Sequence, residues 1–172
     1  MANTNLLKTV VEKELAENFC IKYELEQLTL PQKQMHNIFS NMEPDLIGIN
    51  RNQKTLYLGE ITTSGFMGQR GRDYHVGAVK KVAEAFSKFY LFKDDEKNII
   101  RSISNYIPLA EVYNLKCYFI VPEGSKFLNA LGYRTKLFEK GYMELEKIKL
   151  SKETEDKMIE VLIESKNENK QL

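Results

Sequence analysis

Seven residues past the middle of the chain, Leu115-Lys116-Cys117-Tyr118-Phe119-Ile120-Val121, are apolar almost without interruption and stop at Pro122 and Gly124. A run this short and this rich in β-forming side chains reads as an interior strand, of the kind found in sheets covered on both faces. Helical patterns surround it. Leu6, Leu7, Val10, Val11 and Leu15 recur at helical spacing over 4–19, with Asn3 or Thr4 as cap. Val79, Val82, Ala83, Phe86 and Tyr90 mark one face of a core helix over 76–92, with Phe89 and Phe92 also read as core. A further helix carries Ile99, Ile100, Ile103 and Ile107 and is stopped by Pro108. Residues 127–140 form another, ending at Gly141, and Ser151 caps a last one reaching about Ser165.

The remaining strands are shorter. Residues 21–28 alternate apolar and polar, as do residues 142–150, while 31–41 is polar and loop-like with at most one helical turn. Leu46-Ile47-Gly48-Ile49 and residues 55–61 are strand-forming runs separated by the turn residues Arg51-Asn52-Gln53-Lys54, a hairpin pattern. The order is helix, three strands, helices, strand, helix, strand, helix. That is an α/β three-layer sandwich, a central mixed β-sheet flanked by helices.

At 172 residues the chain is one domain's worth, predicted to span 1–165 with a frayed polar tail over 166–172. Hydrophobic residues at 42% and charged ones at 28% fit a globular protein, and no apolar run nears the roughly 20 residues of a spanning helix. The start, Met1-Ala2-Asn3-Thr4, lacks the regions of a secretion signal, so a cytoplasmic protein with no membrane partner is expected. Cys20 and Cys117 have no metal or redox spacing and read as reduced packing residues. A formal charge of +1 excludes the strongly basic class of non-specific nucleic-acid binders. Positive charge is local instead: Arg70, Arg72, Lys80, Lys81 and Lys88 face only Asp73 and Glu84 between 69 and 88.

Chemistry concentrates at the hairpin. Pro44-Asp45 opens it and Glu60-Ile61-Thr62 closes it, so two carboxylates meet at its outer ends. Acidic side chains brought together by adjacent strands make the oxygen-rich pocket that Mg²⁺ prefers, and phosphodiester hydrolysis is a common use of one. Projected at about 100° per residue, Glu14 falls inside the apolar arc of the first helix, where a carboxylate needs a partner, whereas Glu12 points elsewhere. The glycine loop, residues 65–71, has neither a G-x-G-x-x-G nor a Gly-Lys-Ser/Thr pattern, which argues against a nucleotide-binding domain.

Glu14, Pro44-Asp45, the fourteen residues that follow, Glu60-Ile61-Thr62 and the helix and strand beyond resemble the PD-(D/E)xK nuclease superfamily over about 6–121. The resemblance implies a restriction-endonuclease-like fold and a metal-dependent DNA endonuclease, of restriction or phage-defence type. Asp45, Glu60 and Glu14 would hold Mg²⁺, or Mn²⁺ in its place. Thr62 stands where the motif has lysine; some members take that lysine from the following helix, where Lys80 and Lys81 lie, Lys80 slightly nearer the apolar face. Gln69, Arg70, Arg72 and His75 are substrate-binding candidates. The residues do not distinguish DNA from RNA, and cutting both strands would call for a homodimer. The alternative is a non-catalytic nucleic-acid-binding or scaffolding protein of the same fold.

Overall fold

The computed structural model describes residues 3–69, 73–109 and 113–168. The chain opens with one helical rod in three parts: α1 (Thr4–Leu6), a π-helical segment (Leu7–Val11) and α2 (Glu12–Tyr23). A π segment closes its hydrogen bonds one residue later than an α-helix, so the two sides of the rod are out of phase. Val10, inside the arc expected from regular spacing, is 40% exposed, whereas Val11, Leu15, Ala16, Phe19 and Cys20 are buried. No Asn3 side chain caps the start. The rod ends at Glu24, whose left-handed backbone terminates the helix.

Then come β1 (Glu26–Gln27), α3 (Gln32–Phe39), β2 (Leu46–Asn50), β3 (Thr55–Ile61), α4 (Val76–Asp94), α5 (Glu96–Ser104) and β4 (Asn114–Pro122). α6 (Phe127–Leu131), a 3₁₀ stretch (Gly132–Lys140), β5 (Glu144–Ile148) and α7 (Lys152–Glu168) complete the described chain. The sheet order is β1-β2-β3-β4-β5. The first two pairings are antiparallel and the last two parallel, so the sheet is mixed.

Alternation along the strands divides the core into two layers. Leu56, Leu58, Leu115, Cys117, Phe119 and Val121 face α4, α5 and α6, meeting Ala78, Val82, Phe89, Ile103 and Phe127. Tyr57, Ile61, Tyr118 and Ile120 face α2 and α7, meeting Leu15, Phe19 and Met158. β4 is buried on both faces except at its first residues, as its apolar run requires. Both cysteines are free and buried. No helix among the described residues is long and apolar enough to cross a membrane.

Five local expectations need correction. The alternating stretch at 21–28 begins as the last three residues of α2 and keeps only a two-residue strand, because Glu26 and Gln27 alone among these residues pair with β2. Residues 32–39 are two helical turns, with Phe39 buried against Phe92, so tertiary packing overrides their polar composition. Tyr90 is 45% exposed and sits edge-on to Tyr142 instead of filling the core. Residues 127–140 divide at Gly132, which has a positive φ. α7 reaches Glu168, three residues past its expected end near Ser165.

Candidate functional site

The antiparallel register brings the two hairpin carboxylates together. Leu46 pairs with Gly59, so Asp45, one residue earlier, lies alongside Glu60. Asp45 is exposed, and its Oδ2 accepts the Ile61 backbone N–H at 2.9 Å. Glu60 has the opposite setting: it shares the face of Leu56 and Leu58 and is only 6% exposed. Burial first, and the charge of Asp45 second, push its carboxyl up to about 7, against the pull of Lys88 and Lys81. Lys88 Nζ donates to Glu60 Oε1 at 2.7 Å and to the Glu43 carbonyl at 3.0 Å.

The third carboxylate beside this pair is Glu12. Burial and then Asp45 raise its pKa, while Lys81 and Lys8 oppose that rise. Beside Asp45 opens a cleft of about 280 Å³, walled by Lys8, Glu12 and Lys13 from the first rod and by Gln27 and Ile61 from the sheet. Glu14 lies elsewhere. It accepts from the Ser151 N–H and from the hydroxyls of Ser151 and Thr154, at the start of α7. Burial opposes its ionisation, but these donors outweigh it and hold the carboxyl below the usual carboxylate value. Glu14 did need a partner; the partner is a helix N-terminus.

Of the two lysines expected to replace the motif lysine, only Lys81 acts on the carboxylates, lowering the pKa of both Glu12 and Glu60. Lys80 is turned to water, 3.8 Å from Glu84 in an i,i+4 pair. Lys88, which touches Glu60, is the cation that sequence inspection passed over. It stands seven residues after Lys81, two turns along the same stripe of α4, and that spacing was the available signal. For Glu12 there was none, because a uniform 100° projection cannot register the π segment. Thr62 is 3% exposed and its Oγ1 accepts the Ser64 N–H at 3.0 Å, so it terminates β3 with a turn.

His75 Nδ1 accepts from the Ala78 N–H at 3.1 Å and caps α4, which accounts for it as a structural residue. Gln69 lines a separate pocket of about 190 Å³ with Gly65, His75 and Leu162. Gly65 there has φ +82 and sits so close to Ala78 that a Cβ would come within 2.7 Å. Arg70 and Arg72 lie outside the described residues.

Two adjacent carboxylates, one with its pKa raised to about 7 by burial and then by its neighbour, form a donor set that suits a hard divalent cation in kind. In number they fall short, since no group of three His, Cys, Asp or Glu among the described residues is gathered at metal-holding distance. Comparison of the chain with family models, with curated proteins and with solved structures finds no match.

Proposed function

We propose that this chain is a metal-dependent endonuclease of the PD-(D/E)xK type, hydrolysing DNA phosphodiester bonds. The observation that carries the reading is the placement of Asp45 beside Glu60 at the open end of an antiparallel pair, with Lys88 on Glu60. The helix-strand order and the mixed sheet support a restriction-endonuclease-like fold. Asp45 and Glu60 are the residues that would hold Mg²⁺ or Mn²⁺; Glu12, which feels the charge of Asp45 but is not gathered with the pair at ligand distance, takes the neighbouring position expected for Glu14. The ion, when bound, polarises a phosphoryl oxygen and acidifies a water. Lys88 keeps Glu60 in reach of the ionised form, and Lys81 adds positive charge where the transition state gains negative charge.

Incubating purified protein with supercoiled plasmid and Mg²⁺ or Mn²⁺ is the test. Metal-dependent nicking or linearisation is expected from the wild type, and none from Asp45→Ala or Glu60→Ala. Equal cleavage by Asp45→Ala, or none by the wild type, rejects the proposal. A homodimer belongs to the same reading, and light scattering should then give twice the mass of one chain.

One observation favours a second reading, a non-catalytic nucleic-acid-binding protein. Lys88 already supplies Glu60 with a counter-charge, and Thr62 supplies none. Such a protein would bind DNA in a salt-sensitive way, and its melting temperature would ignore Mg²⁺.

A further inference from the structure

Two tyrosine rings are left in water close together. Tyr133 is 69% exposed and Tyr74 is 41% exposed. The guanidinium carbon of Arg134 lies over both, 4.7 Å from the Tyr133 centroid and 5.7 Å from that of Tyr74. The backbone fixes one of the rings: a Cβ on Gly132, whose φ is +59, would come within 2.3 Å of Tyr74, so only a glycine lets that ring approach. The other ring stands on the 3₁₀ stretch, where a repeat of three aligns exposed Tyr133 with exposed Lys136.

This group belongs to the connections that leave the C-terminal ends of β3 and β4, the end of β3 at which Glu60 stands. β3 and β4 are parallel, with Ile61 at the end of β3 beside Ile120, two residues before β4 ends at Pro122. β4 leads into α6 and the 3₁₀ stretch, and the chain after β3 leads through Tyr74 into α4. The His75 N–H donates to the Ala130 carbonyl at 3.1 Å and ties the two connections together. Lys81 follows His75 by six residues, about 9 Å along the helix axis.

An arginine resting on an exposed ring keeps N–H groups free for phosphate, while the uncovered ring surface can stack on a base. Bases inside a duplex are already stacked, so such a surface suits unpaired nucleotides. We propose that Tyr133, supported by Tyr74 and Arg134, holds an unpaired nucleotide, so that the preferred substrate carries single-stranded DNA. This rests on the nuclease reading, in that it takes the ligand to be DNA.

Fluorescence anisotropy in EDTA, with a labelled oligothymidine and a blunt duplex of the same length, tests the platform without turnover. The wild type should bind the single strand more tightly. Tyr133→Ala and Tyr133→Leu should each weaken that binding roughly tenfold and leave duplex binding unchanged, while Tyr133→Phe keeps the ring and the affinity. The platform is refuted by an alanine variant that binds like wild type, by equal losses for both DNAs, or by no wild-type preference. Plasmid cleavage without single-strand preference overturns the platform alone. Preference without cleavage upholds the platform and overturns the catalytic reading.

Discussion

Glu60 works against the fold that holds it. Its pKa of about 7 lies above the ordinary carboxylate value of 4.5, so between those limits the folded chain binds more protons than the unfolded one. Stability is therefore full below about pH 4.5, falls as pH rises toward 7, and stays lowered above; the shift corresponds to roughly 3 kcal/mol. Glu60→Gln removes the buried charge and keeps the shape. It should abolish cleavage, raise the melting temperature at pH 8 and flatten the decline between pH 4.5 and 7, as thermal melts across that range will show. A glutamine variant no more stable than wild type at pH 8 would mean that Lys88 already compensates the charge. The sequence makes Glu60 conspicuous through its place at the end of a strand-forming run, and Asp45 through the turn before the preceding one. It leaves Lys88 among five basic residues, because which of them reaches a carboxylate depends on how α4 lies across the sheet.

The first helical rod is where an element-level error propagated to the site. Regular spacing made Glu14 the inward-facing carboxylate, and the change of phase at Leu7–Val11 instead puts Glu12 beside Asp45. The two acids now have separable roles. Glu14→Ala unties α2 from the N-terminus of α7, removing acceptors from Ser151 and Thr154. It should cost about 1–2 kcal/mol and leave cleavage intact. Because the Glu14 carboxyl is held below 4.5, its stabilisation is present above that pH and is lost as pH falls through the lowered value. Glu12→Ala should do the reverse, impairing metal-dependent cleavage with little change in melting temperature. Melting curves and plasmid assays on the two variants decide the matter; loss of activity in Glu14→Ala at full stability would restore Glu14 to the site. Strong local patterns, such as the hairpin and β4, were legible because alternation and turn chemistry agree. The two turns at Gln32–Phe39 were not, because their helix depends on Phe39 meeting Phe92, a contact no local window contains.

At the scale of the whole molecule, the α/β order could be read because each apolar period belongs to one layer of the sandwich. Strand neighbours could not be read from the same data, since periodicity carries no information about order across a sheet. The outer strands differ in their defence against pairing: β1 has two residues, and β5 places Glu144, Glu146 and Lys147 along its length. Both are poor templates for another chain's strand, so a second copy would join through helices or loops. If the proposed metal site is correct, the Asp45–Glu60 pair would also make the protein a proton donor on loading. A divalent ion needs ionised oxygens, and near pH 7 Glu60 is divided between its two forms, so binding must expel a fraction of a proton into the solvent. Isothermal titration with Mg²⁺ should therefore give an apparent heat that changes with the buffer's ionisation enthalpy at pH 7, and much less so at pH 9. A heat independent of buffer at pH 7 would place the ion away from Glu60. On the proposed reading cation and proton would be rivals for one carboxylate, so that at a fixed metal concentration acidity would shift how readily the site fills.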